Sequence, residues 1–167
     1  MKPKFYLTIL KTFSLVLIVS FIFYSCKKDS TTPPYVGTWA ATYPVTDSLG
    51  TYYEREIYVF AENSFTETIQ ETNQNTNQWF NYYGTKGDIS VTGKIITLNI
   101  TDIGVTTFTA TNQPTGVISY YNEITSPVEF QTYLSGLYGS KTGSLTYSIS
   151  GKYMNFVEIP NRPYVKQ

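Results

Sequence analysis

The segment Ile89-Ser-Val-Thr-Gly-Lys-Ile-Ile-Thr-Leu-Asn-Ile100 decides the fold. Ile89 and Val91 alternate with polar residues, and Ile96, Leu98 and Ile100 do the same beyond Gly93-Lys94. A period of two places every second side chain on one face, so each half reads as a strand with one buried side. Glycine at position 93 supplies the positive φ that a hairpin with a bulge needs. The pattern returns at Tyr147-Ser-Ile-Ser-Gly-Lys-Tyr-Met-Asn-Phe-Val-Glu158, with Gly151 in the place of Gly93. The repeated unit is a single hairpin, shorter than a solenoid repeat, and points to barrel architecture.

The flanking sequence is of the same kind. Thr38 to Val45, Tyr52 to Phe60 and Ser64 to Glu71 are rich in Thr, Tyr, Val, Ile and Phe, and turn residues at Asp47-Ser-Leu-Gly50 and Ala61-Glu-Asn-Ser64 separate them. β-Branched and aromatic runs at this spacing predict an antiparallel sandwich or barrel. Thr72-Asn-Gln-Asn-Thr-Asn-Gln78 is too poor in apolar residues to pack and reads as an exposed hairpin loop. Val105 to Ala110 and Gly116 to Ile124 read as two further strands. Ser126-Pro-Val-Glu129 carries the one helical signal: an N-cap serine, proline at the first helical position and glutamate three after the cap. A short helix over about residues 127–138 follows, with Val128, Gln131, Leu134 and Leu137 as its stripe and Gly136 or Gly139 at its end. Its expected place is across one end of the barrel.

Composition narrows the chemistry. The chain has 167 residues, of which 41% are hydrophobic and 17% aromatic, and it has no histidine and one cysteine. Without histidine the commonest general base, the Ser-His-Asp and Cys-His arrangements and most zinc sites are excluded. Lys and Arg together equal Asp and Glu at 12 each. Without Lys2, Lys4 and Lys11 the balance is 9 basic to 12 acidic residues, which gives no electrostatic reason to bind nucleic acid.

The N-terminal part carries its own signal. Met1-Lys-Pro-Lys4 is basic, and Phe5 to Phe23 is strongly apolar. That order reads as a secretory signal over residues 1–25, the alternative being an uncleaved span of about 20 residues. Cys26 follows directly, then the polar, proline-stiffened stretch Asp29-Ser-Thr-Thr-Pro-Pro34. Ser25-Cys26 resembles the end of a bacterial lipobox, with Phe23 and Tyr24 where leucine and a small residue usually stand. Ser-Cys-Lys-Lys-Asp29 after an apolar segment looks like the start of short-tethered lipoproteins of Bacteroidetes-type bacteria. That resemblance implies acyl (palmitate) chains on Cys26, a lipidated tether over 26–34 and attachment to the outer membrane, on its periplasmic or surface face. More than one acyl chain makes such anchoring stable.

A second resemblance covers residues 35–167. Gly37-Thr-Trp39 opens the first strand and resembles the Gly-x-Trp of lipocalins and related calycin barrels. The hairpins around Gly93 and Gly151 look like the repeated hairpins of bacterial lipocalin-like domains, with lysine in place of asparagine after each glycine. The resemblance implies an up-and-down barrel of about eight strands whose floor Trp39 closes, a size that either fills with side chains or holds one small ligand. The arginine that covers this tryptophan in the family has one counterpart here, Arg162.

The candidates for chemistry are few. Glu54 and Glu56 share a strand face, and Glu67 could oppose them; paired carboxylates suit glycoside hydrolysis, whereas exposed strand glutamates beside Arg55 are the plainer reading. The adjacent pairs Tyr52-Tyr53, Tyr82-Tyr83 and Tyr120-Tyr121 should each send one ring inward and one outward, the outward rings serving as a platform for sugars or a partner protein. Asp29-Ser-Thr31 and Asp47-Ser-Leu49 look like O-glycosylation sequences of exported Bacteroidetes-type proteins, and Asn99-Ile-Thr101 fits an N-glycosylation acceptor but falls inside a strand. The expectation is a non-enzymatic protein with neither metal nor cofactor. It binds a small apolar or amphipathic ligand or a glycan, or, with a filled barrel, a protein partner.

Overall fold

The computed structural model describes residues 32–48, 50–72, 78–111 and 113–167. The signal segment, Cys26, residues 26–31 of the tether and the polar tract at 73–77 lie outside these residues, as do the Asp29 motif and Leu49 of the Asp47 motif. Nine strands are described: β1 (Gly37–Asp47), β2 (Gly50–Phe60), β3 (Ser64–Thr72), β4 (Trp79–Thr92), β5 (Ile95–Phe108), β6 (Pro114–Asn122), β7 (Thr142–Ser150), β8 (Tyr153–Phe156) and β9 (Ile159–Lys166). The helix α1 (Pro127–Leu137) lies between β6 and β7.

Eight of the strands close a ring in the order β1-β2-β3-β4-β5-β7-β8-β9, with every pair antiparallel. Trp39 opposite Lys166 and Ala40 opposite Val165 seal β9 to β1. The barrel of about eight strands is therefore as the resemblance implies, and the one short helix among the described residues is as the signal at Ser126-Pro-Val-Glu129 predicts. Closure removes the free edges that an open sheet would expose. The ninth strand, β6, is a branch. Residues Ile95–Asn99 of β5 pair with β7, whereas Asp102–Phe108 of the same strand pair with β6.

Four local differences from the sequence reading have physical causes. Ile95–Ile100 and Val105–Ala110 are not separate strands but parts of β5, because a bulge absorbs Thr101: Gly87 faces Ile100 and Lys86 faces Asp102. The bulge switches the inward positions from Ile96 and Ile100 to Ile103, which strict alternation does not anticipate. Gly93 and Gly151 have φ of 62° and 58° in two-residue loops completed by Lys94 and Lys152, so the turns are of the II′ kind and carry no bulge. The strand expected to run to Glu158 stops at Phe156; Val157-Glu158 is a turn, held by the Glu158 carboxylate accepting the Thr146 N–H and hydroxyl at 2.7 Å each. β9 follows despite Pro160 and Pro163, since residues 160–163 bulge out opposite Asn155 with Asn161 at φ 68°.

The helix differs in its cap and its face. Ser126 stands at the N-cap but makes no side-chain cap bond. Its hydroxyl instead accepts the Asn122 N–H (3.0 Å), while Asn122 Oδ1 accepts the N–H groups of Ile124 and Thr125. Phe130 and Leu134 form the buried face, and Val128, expected in the stripe, is 73% exposed. Gly136 lies within the helix and Gly139 beyond it, where the Gly139 N–H reaches the Leu134 carbonyl at 2.8 Å.

The end of the barrel near Gly37 is filled. Trp39, Phe60, Ile96, Met154 and Phe156 are buried there with Tyr35 and Tyr147. Tyr58 stacks on Phe60 with centroids 5.3 Å apart. The Trp39 indole N–H donates to the Tyr35 carbonyl at 2.7 Å. The cation over its ring is Lys166, 5.3 Å from the centroid, and not Arg162 as the resemblance implies. Arg162 points to the opposite end, 3.8 Å from the Tyr43 ring centroid.

Gly87 shows how tightly β4 and β5 meet at the bulge. A Cβ there would lie 2.0 Å from the Asn99 carbonyl oxygen and 2.9 Å from the Phe65 ring. Backbone cannot yield as a flexible side chain would, so Gly87→Ala is expected to cost about 2–3 kcal/mol. Chemical denaturation would show this as a lower midpoint at unchanged slope.

Candidate ligand-binding site

Past the bulge in β5, the inner face of the barrel is lined differently. Opposed residues of an antiparallel pair share a face. Tyr83 opposes Val105, and Val105 opposes Ser119, while Ile103 opposes Tyr121. Here β6 has replaced β7 as the neighbour of β5, and α1 packs against both β5 and β6. Between them lies a cavity of about 500 Å³, lined by Tyr82, Tyr83, Val105, Phe108, Ser119 and Tyr121 from the strands and Tyr133 and Leu137 from the helix. The Tyr121 and Tyr133 rings meet with centroids 5.4 Å apart, joining strand wall to helix wall.

Tyr82 and Tyr83 both reach this cavity, although adjacent strand residues should point to opposite faces. A bulge is again the cause: Ile69 faces Tyr83 and Gln70 faces Asn81, leaving Tyr82 as the additional residue. The other two tyrosine pairs divide as expected. Tyr52 turns inward to Glu54 and Tyr53 is 52% exposed; Tyr121 faces the cavity and Tyr120 lies outside beneath the Lys86 ammonium. The outward rings Tyr53 and Tyr120 sit on β2 and β6, with β3, β4 and β5 between them, so they form no continuous platform.

Inside the barrel is a layer of buried and half-buried carboxylates. Glu54, Glu56, Tyr58 and Phe60 alternate along the inner face of β2, and Phe65, Glu67, Ile69 and Glu71 along that of β3. The three glutamates singled out in the sequence are thus brought to the interior, which overturns the reading of exposed strand glutamates beside Arg55. Glu67 opposes Tyr58, and Glu54 opposes Glu71, which the sequence reading did not single out. Glu67 is 6% exposed and takes three hydrogen bonds: Tyr58 donates to Oε1 at 3.0 Å, and Thr85 and Tyr138 donate to Oε2 at 2.8 Å each. Glu56 accepts the Tyr164 hydroxyl at 2.6 Å and pairs with the Arg162 guanidinium at 3.5 Å.

Burial pushes the Glu67 carboxyl up to about 7, with the Glu56 charge adding to the effect and the three donors opposing it. Glu71 is also raised to about 7, by desolvation and then by Glu54 and Asp47. Desolvation and the neighbouring carboxylates hold the Tyr43, Tyr83, Tyr138 and Tyr164 phenols well above their usual range, so they remain donors throughout the neutral pH range. Tyr138 and Tyr164 were invisible as site residues because each lies far along the chain from its glutamate. The only local signal was an inward strand glutamate with no cation to match it.

Among the described residues no three of His, Cys, Asp or Glu come together as a metal site. What the arrangement offers is an aromatic, mostly apolar recess backed by hydroxyls and protonatable carboxyls. Of the remaining site residues expected from the sequence, Gly37 (φ 134°) and Trp39 lie at the filled end and Gly93 and Gly151 in their turns, all away from the cavity. Compared with known proteins, the chain matches no family model and no curated protein.

Proposed function

We propose that this protein is a lipocalin-like lipoprotein, held at the outer membrane by acyl chains on Cys26, that binds a small apolar or amphipathic ligand, or a glycan, without chemical turnover. The barrel fold is compatible with such a role. The observation that carries the reading is the cavity of about 500 Å³ with its tyrosine walls. That size falls within the usual range of small-molecule sites, about 300–1,000 Å³, and tyrosine joins apolar contact area to a hydrogen-bonding tip. Support for a non-enzymatic role comes from Glu56 and Glu67. Both are occupied by Tyr58, Thr85, Tyr138, Tyr164 and Arg162 and are nearly closed off from solvent.

Neither tryptophan reports on the cavity: Trp39 is in the filled end, and Trp79 lies under the Arg55 guanidinium, outside the lining. Calorimetric titration of residues 27–167 with fatty acids and oligosaccharides is therefore the suitable test. Binding of one class at about micromolar Kd is expected, with Tyr133→Ala weakening it about tenfold. Absence of heat with both classes would remove the support for ligand binding.

A further inference from the structure

A second recess, of about 360 Å³, adjoins the cavity and differs from it in chemistry. Its lining includes Gln70 of β3, Trp79, Phe80 and Asn81 of β4, and Pro114 and Thr115 of β6. Three contacts join the two along one rim. The Phe80 ring in the recess meets the Tyr82 ring in the cavity with centroids 6.4 Å apart. Thr107 and Phe108 of the cavity meet Thr115 and Pro114 of the recess: the threonine hydroxyls are 2.5 Å apart, and Phe108 opposes Pro114 across the β5–β6 pair. Amides set the recess apart. Gln70 Nε2 donates to Asn81 Oδ1 at 3.0 Å, and Asn81 Nδ2 donates to the Gly116 carbonyl at 3.1 Å, which ties the start of β6 to β4. A primary amide has two N–H donors and two acceptor lone pairs. Each of these two side chains therefore keeps one N–H and an acceptor site for a group outside the protein. Trp79 adds an aromatic surface, its ring held under the Arg55 guanidinium at 4.4 Å.

We propose that cavity and recess are two halves of one site for a glycolipid-like amphiphile, whose apolar part enters the cavity and whose uncharged sugar head binds at Gln70 and Asn81 beside Trp79. A sugar presents hydroxyls that both donate and accept, which suits amides with one N–H and an acceptor site to spare, and a C–H face that packs on an aromatic ring. No Asp, Glu, Lys or Arg is among the residues lining either half. A carboxylate, phosphate or ammonium head would therefore lose hydration without gaining a partner. Arg162 is committed to Glu56, and Arg55 lies on the Trp79 ring with its Nε donating to Thr42 Oγ1 at 3.3 Å. An alkyl chain alone would leave the amides to water, and a sugar alone would leave the aromatic walls uncovered. Joining the two makes the second contact intramolecular, so the amphiphile binds more tightly than either part.

This inference rests on the cavity being a ligand site, and its test separates the two. Residues 33–167 form a compact unit that holds the whole closed ring, so residues 27–167 are the suitable protein. Calorimetric titration would compare octanol, octanoate, free glucose, galactose and mannose, and the octyl glycosides of the same sugars, each below its micelle concentration. At least one octyl glycoside is expected to bind about tenfold more tightly than octanol and octanoate, with the free sugars weakest. Gln70→Ala should bring that glycoside down to the level of octanol while octanol itself is unaffected, which also shows the variant to be folded. Tyr133→Ala should weaken octanol and glycoside alike. If octanol binds and no glycoside binds more tightly, the inference falls and the cavity remains a ligand site. If nothing binds, both fall. A glycoside affinity untouched by Gln70→Ala overturns the inference as well, as does octanoate binding as tightly as the glycoside.

Discussion

Replacing Trp39 with alanine is expected to cost about 4 kcal/mol of folding stability, the largest effect of any single truncation in the barrel. The side chain is 1% exposed, so its whole surface is lost from the core and the space it leaves is bounded by rigid strands. Two further contacts go with it: the indole N–H to the Tyr35 carbonyl and the Lys166 ammonium over the ring. Lys166 lies on β9 directly opposite Trp39, so the substitution also loosens the seam that closes the ring. Thermal denaturation should show a single transition shifted well below that of the wild type. Lys166→Ala, which removes only an exposed cation–π contact, should cost about 0.5–1 kcal/mol. If Trp39→Ala loses less than Gly87→Ala, the filled end is not the stabilising core.

The second large effect concerns pH. The Glu67 carboxyl, ordinarily at 4.5, is raised to about 7 in the folded protein, first by desolvation and then by Glu56. A raised folded value means that the native state holds the proton more tightly than the unfolded chain does. The stabilisation is then fully present below about 4.5, declines as pH rises and is lost above about 7. A difference of this size corresponds to about 3 kcal/mol. Glu71 acts in the same direction, but it is only partly buried, so its share is smaller. Between about pH 5 and about pH 8 the wild-type domain should therefore become progressively less stable, and Glu67→Gln should remove most of that slope. A wild-type stability that rises with pH over this window would show that Glu67 is paired with a cation rather than buried beside another acid.

Much of the scaffold was legible because it rests on short-range rules. Alternation at Ile89–Val91 and Ile96–Ile100, a glycine at the head of each turn and Ser126-Pro127 before the helix carry their meaning locally. The departures within the strands arise where one strand answers to another. Thr101 and Tyr82 are bulged residues, and a bulge is set by the partner strand as much as by its own sequence. Pro160 and Pro163 argue against a strand, yet β9 forms because residues 160–163 bulge out of the ladder and Val165 and Lys166 close the ring against Ala40 and Trp39. The cavity could not be read at all. It is assembled from β4, β5, β6 and α1, and the branch of β5 that separates β6 from β7 has no sequence signature. The glutamates were noticed for their alternation, but their burial depends on Tyr138 and Tyr164, which are 71 and 108 residues away from Glu67 and Glu56.

A small ligand is proposed to enter the cavity between β4, β5, β6 and α1. Chemical-shift mapping of residues 27–167 with an alkyl-chain ligand and with an oligosaccharide tests it most directly. Shifts caused by the bound class are expected to concentrate at Tyr83, Val105, Ser119, Tyr121, Tyr133 and Leu137, and to leave Thr38, Arg55 and Ile57 on the opposite wall unchanged. Shifts confined to that outer wall, or none with either class, would contradict it.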